Sequence, residues 1–469
     1  MVDTKIISYY FLKGVEKKMN INKLALIIFF SFSSIVSASY EAKKAGMSPE
    51  RLDKIAPLLS KYIDKNRLPG LITAVSRKGQ LVHFEVQGYS DIENQIPLQK
   101  DSLFRIYSMT KPVTGVALMI LLEEGKVRLN DPVSLYIPEF ASTKVMKLNK
   151  DGTYETVKLN KQITIRDLAT HTSGIAYSFT ANKQLKKVYD ENKLSPYFFI
   201  DNISLAKNGI DSFATSTKAF PDICTFSAAL ASKAPLMHQP GEKYTYSMGM
   251  DVLGCVIERA SGQPFDKFLK QRIFDPLGMV DTSFDVPKSK VDRFTNLYAS
   301  PRGVRRLSPE LSKSIGNNKS MVLVDPALKS PYLQEARLFD GGSGLVSSTK
   351  DYLTFAEMLL NGGKKGKTRI LSRKSVELMS SNHLNKSITN NPKYPEGMGF
   401  GLTVGVVKDT GLAGQYGSNG KYFWGGAAAT VFWIDPKEEL VAVAMTQLLG
   451  SPWPLRSDFE ALVYGAFDD

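Results

Sequence analysis

The sequence is poor in the residues that usually build metal centres, with only two cysteines and four histidines among 469 residues. No two histidines stand in a zinc-binding spacing such as His-Glu-x-x-His, which disfavours a metallohydrolase. No serine lies in the Gly-x-Ser-x-Gly turn of the α/β-hydrolases. We therefore expect neither a metal ion nor another cofactor, and any hydrolytic chemistry has to come from side chains alone.

Long apolar runs are also scarce, and one of them lies near the N-terminus. It starts at Leu24 after several lysines, continues to Val36 and ends in small residues up to Ala38. A basic start, a short apolar stretch and a small-residue cleavage site are typical of a signal peptide, whereas a membrane-spanning helix needs about 20 apolar residues. We predict a signal peptide over residues 1–38, with Met19 as an alternative start, and a periplasmic or secreted protein. An uncleaved membrane anchor is the alternative.

The two cysteines allow two interpretations. Export would permit a disulfide between Cys224 and Cys255. However, Cys255 lies in the apolar run Asp251–Ile257, where a cysteine can equally be a buried apolar side chain. The sequence leaves the pairing open.

Negative charge is in deficit, since 60 Lys and Arg face 46 Asp and Glu and the net charge is +14. Most of the excess is scattered lysine, and no nucleic-acid-binding module is recognisable. A basic surface can attract anionic envelope polymers through long-range fields or can simply be solvated. We expect no nucleic-acid partner and no stable membrane insertion after signal cleavage, and the sequence predicts no oligomeric state.

Alternating apolar residues predict strands at both ends of the chain. Leu71–Val75 and Leu81–Val86 form one predicted hairpin, and Ala429–Ile434 and Leu440–Ala444 form another. Helical periodicity dominates the middle of the chain and the C-terminal segment Ser457–Ala466. This pattern predicts one sheet assembled from the two ends of the chain, with helices between them.

Ser108 and Lys111 are the first candidate catalytic residues. They lie three apart at the start of a predicted helix and would share one face of it. A serine hydroxyl needs a neighbouring base to become a nucleophile, and Lys111 can serve as that base. The spacing alone is weak, because Ser347 and Lys350 repeat it and a capping serine followed by a solvated lysine looks the same.

Two further segments supply possible partners. Tyr246 follows a Pro-Gly turn and precedes a predicted helix, and a phenol close to a lysine can act as a base. Trp424, Gly425 and Gly426 precede an apolar strand, where glycines allow a ligand to approach the backbone. The N–H groups of Ser108 and Ala427 would then form an oxyanion hole. A surface turn and a glycine-softened strand entry are the alternatives.

Taken together, these motifs resemble the serine β-lactamase-like superfamily, in particular the branch of class C β-lactamases and family VIII carboxylesterases. The resemblance runs from about Ser48 to the C-terminus. Its motifs, in order, are Phe104-Arg-Ile-Tyr-Ser-Met-Thr-Lys-Pro112, His171-Thr-Ser-Gly174, Pro240-Gly-x-x-Tyr-x-Tyr-Ser247, Gly341-Gly-Ser-Gly-Leu345 and Trp424-Gly-Gly426.

The resemblance implies an α/β (α+β) β-lactamase/transpeptidase-like fold, in which helices cover an antiparallel sheet and an all-helical lobe is inserted. We expect a single catalytic domain over 48–469. Its α/β lobe would comprise about 48–165 and 340–469, and its helical lobe about 166–339.

Two departures from the family pattern bear on the substrate. Met248 replaces the asparagine of the β-lactamase Tyr-x-Asn motif, and Trp424 replaces the lysine of Lys-Thr-Gly. An amide donor and a cation for a carboxylate are therefore missing, although Lys421 lies nearby in the sequence. We predict that Met248, Trp424, Gly425 and Gly426 contact the substrate.

The predicted function is that of an exported serine hydrolase, a carboxylesterase that cleaves short-chain esters through an acyl-enzyme. One alternative is a β-lactamase or a D-Ala-D-Ala carboxypeptidase-like enzyme. Another is a catalytically silent protein that binds an envelope component.

Overall fold

The computed structural model describes residues 41–194, 220–307, 320–336 and 338–469, so the predicted signal peptide lies outside the described residues. The strands are β1 (Gly70–Arg77), β2 (Gln80–Asp91), β3 (Ile96–Pro97), β4 (Leu103–Arg105), β5 (Val145–Leu148), β6 (Tyr154–Val157), β7 (Leu297–Ala299), β8 (Val322–Asp325), β9 (Val346–Ser348), β10 (Lys364–Lys365), β11 (Thr368–Arg369), β12 (Met398–Phe400), β13 (Gly405–Val407), β14 (Tyr422–Gly425), β15 (Val431–Asp435), β16 (Leu440–Met445) and β17 (Leu448–Leu449).

The helices lie before, between and after these strands along the chain. They are α1 (Pro49–Leu52), α2 (Ile55–Leu59), α3 (Lys61–Asp64), α4 (Thr110–Glu123), α5 (Ile165–Ala169), α6 (Lys183–Glu191), α7 (Ile223–Lys233), α8 (Gly249–Ser261), α9 (Phe265–Leu269), α10 (Asp275–Leu277), α11 (Pro301–Leu307), α12 (Thr349–Leu360), α13 (Arg373–Ser380), α14 (Lys386–Thr389), α15 (Thr410–Ala413) and α16 (Leu455–Gly465). Among the described residues, none of the helices is long and apolar enough to cross a membrane.

The main sheet joins the two ends of the chain. In the described residues it has eight strands in the order β12-β13-β14-β15-β16-β1-β2-β3, and each neighbouring pair is antiparallel. The β1–β2 and β15–β16 hairpins are those expected from the alternating apolar residues. The central contact pairs β1 with β16, for example Thr73 with Ala444.

Strand β16 shows why the sheet is stable, since it is buried over its whole length. Val441, Val443 and Met445 belong to one apolar core, whereas Leu440 and the alternate alanines belong to a second core. Successive side chains of a strand point to opposite faces. Helices therefore cover both faces of the sheet, with α12 against β16 and β1 on one side and α16 with α1 and α2 on the other.

The segment 166–339 is mainly helical in its described part, as the insertion was expected to be, but it also contains β7 and β8. These two strands form a small sheet with β17 from the C-terminal part of the chain. Cys224 in α7 and Cys255 in α8 are joined by a disulfide, which resolves the choice that the sequence left open. The exact lobe boundaries stay a prediction.

Candidate active site

Ser108 lies where β4 passes into the central helix of the site. The serine is in a single 3-10 turn, Tyr107–Met109, and α4 follows directly. Pro112 falls in the first turn of α4, where its missing N–H removes no helical hydrogen bond. Tyr107 has a φ of 43°, a left-handed conformation that costs a non-glycine residue about 1–2 kcal/mol. This strained junction presents the hydroxyl of Ser108.

Three predicted catalytic side chains meet at this hydroxyl. The Lys111 ammonium donates to Ser108 Oγ at 3.1 Å, and the Tyr246 phenol donates to the same oxygen at 2.7 Å. The side chain of Lys111 is fully buried, and its Nζ lies 4.8 Å from the centre of the Tyr246 ring. The structure thus brings together three residues that span 138 positions of sequence.

A buried carboxyl pair, which sequence analysis missed, holds the lysine from behind. Lys111 Nζ donates to the Gly342 carbonyl at 2.7 Å. The Gly342 N–H donates to Asp251 Oδ1 at 2.9 Å and to Asp340 Oδ1 at 2.7 Å. Burial, followed by the neighbouring Asp340 carboxylate, raises the pKa of Asp251 well above its ordinary value. Burial beside a second carboxyl group thus favours the protonated form of Asp251.

Gly342→Ala should disturb this support. A Cβ at Gly342 would lie 2.8 Å from Asp251 Oδ1 and 3.0 Å from the Tyr177 hydroxyl, so the backbone carbonyl that holds Lys111 would have to move. We expect kcat for ester hydrolysis to fall roughly tenfold or more, because small displacements of catalytic groups are costly, with little change in KM.

Steady-state kinetics of Gly342→Ala measure this effect, and Gly465→Ala is the matched control. A Cβ at Gly465 has no atom within 4 Å, and alanine there should leave kcat unchanged. Equal activity of Gly342→Ala and wild type would show that the carbonyl does not position the lysine.

His171 positions the loop that carries Tyr246. The Ser247 N–H donates to His171 Nδ1 at 3.1 Å, and the Thr245 N–H donates to the His171 carbonyl at 2.8 Å. Burial and the nearby charge of Lys111 lower the pKa of His171 well below its usual value, so the imidazole is neutral and carries its proton on Nε2. Its ring centre lies 4.6 Å from that of Tyr246. The histidine of the His-Thr-Ser-Gly motif is thus a positioning residue.

The turn after β14 packs against the nucleophile segment. A Cβ at Gly426 would lie 2.4 Å from the Ile106 carbonyl and 2.3 Å from Thr430 Oγ1, so only glycine fits there. Among the described residues, no hydrogen-bond acceptor is found for the N–H of Ser108 or of Ala427. Both groups are free to bind a substrate oxygen, and their role as an oxyanion hole stays a prediction.

A cleft of about 380 Å³ opens beside Tyr246. Trp424 and Gly425, both predicted substrate contacts, line it, and Trp453 and Arg456 stand on its far side. The ring centre of Trp424 lies 5.8 Å from that of Tyr246. The cleft therefore begins at a candidate catalytic group and has aromatic walls.

Two residues that the sequence placed near the substrate, Met248 and Lys421, are buried. Met248 is only 1% exposed and packs in the main core, so it is not on the open cleft wall, because an apolar side chain before α8 gains more from burial. Its role as a substrate contact stays a prediction. Lys421 is fully buried, donates to the Tyr416 carbonyl and lies 3.4 Å from Glu460. It therefore does not replace the lysine that Trp424 displaces.

In the described ranges, no three His, Cys, Asp or Glu side chains are grouped so that they could hold a metal ion. Comparison with known protein families identifies a family of serine enzymes. Residues 55–466 match the family model described as Beta-lactamase. The chain belongs to the β-lactamase family. The predicted family and fold class are thereby confirmed.

Relatives within the β-lactamase family include differently named hydrolases. The chain is 28% identical to Esterase EstB of Burkholderia gladioli, over 88% of this chain and 94% of that protein. It is 25% identical to a putative D-alanyl-D-alanine carboxypeptidase of Escherichia coli (strain K12), over 87% and 85%. The solved structure of EstCE1, a hydrolase with promiscuous acyltransferase activity, shares the fold with a TM-score of 0.69 at 24% identity, over 89% and 99% of the two chains. This β-lactamase-family chain is a serine hydrolase.

Proposed function

We propose that this protein is an exported carboxylesterase that cleaves short-chain esters through an acyl-enzyme on Ser108. One observation carries the proposal. Ser108 Oγ accepts hydrogen bonds from both Lys111 and Tyr246. A serine hydroxyl within hydrogen-bond distance of two groups that can exchange a proton with it is the arrangement that nucleophilic catalysis requires.

The reaction has two acyl-transfer steps. Ser108 Oγ attacks the ester carbonyl carbon while its proton passes to the member of the Lys111–Tyr246 pair that is deprotonated in the reactive state, and the N–H groups of Ser108 and Ala427 bind the developing oxyanion. The bond to the alcohol breaks, and the alcohol oxygen takes the proton from the pair. Water then attacks the acyl-enzyme by the same route and releases the acid and the free serine.

The walls of the cleft favour an ester over a charged substrate. Trp424 stands where β-lactamases have a lysine for the substrate carboxylate, and Lys421 is buried away from the cleft. A carboxylate bound there would lose water without gaining a partner, which costs about 1–3 kcal/mol or more. The esterase among the relatives supports this preference, whereas the carboxypeptidase-named relative keeps a peptidase or β-lactamase as the second candidate.

A substrate panel tests the choice. We expect p-nitrophenyl esters of about two to six carbons to react fastest, nitrocefin slowly and a D-Ala-D-Ala peptide negligibly. Because the carboxylate of nitrocefin or of the peptide would be unpaired, we expect kcat/KM for the esters to be higher by about tenfold to a few hundredfold. Faster turnover of nitrocefin or of the peptide than of p-nitrophenyl butyrate would replace the esterase with the second candidate.

Export is part of the proposal and has independent support. The disulfide between Cys224 and Cys255 is the kind of bond that persists outside the cytosol. N-terminal sequencing of the mature protein should find a first residue near Ser39. A protein that is retained inside the cell and still begins at Met1 or Met19 would contradict cleavage and export.

A further inference from the structure

The far wall of the cleft comes from the segment that leads into α16. Trp453 is partly exposed there, and the Arg67 guanidinium lies 4.1 Å from the centre of its indole ring. This cation–π contact holds the ring in place. A cavity of about 150 Å³ already accepts a benzene ring, so the 380 Å³ of this cleft can take a ring system larger than benzene.

Among the described residues that line the cleft, Arg456 is the only charged one. Its guanidinium is already bound by other side chains. Its Nε donates to Glu460 at 2.8 Å, and its Nη2 donates to Gln415 at 2.9 Å. The guanidinium also lies 3.5 Å from the centre of the Phe423 ring. Because Glu460 is only 3% exposed, releasing Arg456 to bind an anion would remove the nearer of its two cationic partners and leave Lys421 alone at 3.4 Å, which is costly for a buried carboxylate.

The position of Tyr246 indicates which part of an ester the cleft receives. On the proposed function, the departing alcohol oxygen takes its proton from the Lys111–Tyr246 pair and has to lie within hydrogen-bond reach of it. The Tyr246 hydroxyl is 2.7 Å from Ser108 Oγ, and the same residue lines the cleft. The alcohol portion would therefore extend into the space between Trp424 and Trp453.

We propose that this cleft is the alcohol subsite and that it selects a bulky, apolar, uncharged alcohol such as an arylmethyl group. The inference rests on the proposed function and adds the chemical class of the leaving group. By the same path in reverse, such an alcohol bound in the cleft can attack the acyl-enzyme. Its oxygen bonds to the acyl carbon, the bond to Ser108 Oγ breaks, and the hydroxyl proton returns through the pair to the serine.

Benzyl and ethyl butyrate test the subsite, because they share an acyl group and release alcohols of similar acidity. Wild type should prefer benzyl butyrate by about tenfold in kcat/KM, the range of discrimination that an apolar pocket supplies. Trp453→Ala should remove most of that preference, so that the benzyl-to-ethyl ratio of kcat/KM falls towards one. Trp453→Phe should retain it, and Leu412→Ala, at a side chain 58% exposed outside the cleft, is the control.

Three outcomes would contradict either the subsite or the function on which it rests. If Trp453→Ala instead alters the preference between p-nitrophenyl acetate and hexanoate, and the benzyl-to-ethyl ratio is unchanged, the cleft binds the acyl group and the proposal is wrong. If 4-carboxybenzyl butyrate outruns benzyl butyrate, Arg456 binds anions and the uncharged selection is wrong. If wild type hydrolyses none of these esters, the proposed function itself fails.

Discussion

Ser108→Ala should lower kcat/KM for p-nitrophenyl butyrate by at least about 10³-fold. The hydroxyl oxygen is the point where Lys111 and Tyr246 meet, and without it no acyl-enzyme can form. Positioning and an oxyanion hole alone leave only a small residual catalysis. Initial rates measured beside the uncatalysed reaction give the ratio.

Ser347→Ala is the matched control for this loss, since Ser347 and Lys350 have the same spacing as Ser108 and Lys111. Ser347 is buried and bonded to Thr282, so its loss can reduce stability. Activity per folded molecule should nevertheless stay within about threefold of wild type, because it lies outside the chemistry. If Ser108→Ala keeps most of the wild-type rate, the nucleophile has been misassigned.

Lys111→Met should lower kcat by about 10²–10⁴-fold, the usual contribution of a positioned acid–base group. Methionine is close to lysine in length and fills the fully buried site without leaving a large void. Tyr246 would then face Ser108 without the ammonium 4.8 Å from its ring, and the serine would lose one of the two groups that can exchange its proton. Stopped-flow measurement of the acylation burst separates this effect from slower deacylation.

Lys350→Met supplies the comparison, because Lys350 has the same motif spacing but is exposed. It should match wild type in both phases. A Lys111→Met enzyme that keeps more than a tenth of the wild-type burst rate would mean that Tyr246 alone acts as the base.

The parts of the fold that sequence could predict are those encoded by local patterns. The strands β15 and β16 alternate between two cores, and the turn at Asp435–Lys437 separates them, so the hairpin was predictable to within a few residues. The spacing of Ser108 and Lys111 predicted one shared face, and the structure has their side chains in contact. Such local signals depend on few neighbours.

Contacts that join distant segments were beyond a local pattern. Asp251 contacts Gly342 across 91 positions, and no local spacing predicts that a buried carboxyl will support the backbone that holds the lysine. The burial of Met248 in the main core and of Lys421 beside Glu460 of α16 also depends on distant segments. The cysteine pair required knowing that α7 and α8 pack side by side.

The central claim is a covalent acyl-enzyme on Ser108, and intact-protein mass spectrometry after reaction with a fluorophosphonate tests it most directly. We expect a single adduct that peptide mapping assigns to Ser108, and no adduct on Ser108→Ala. A label on another residue of the wild type, or none after complete exposure to the reagent, would contradict it.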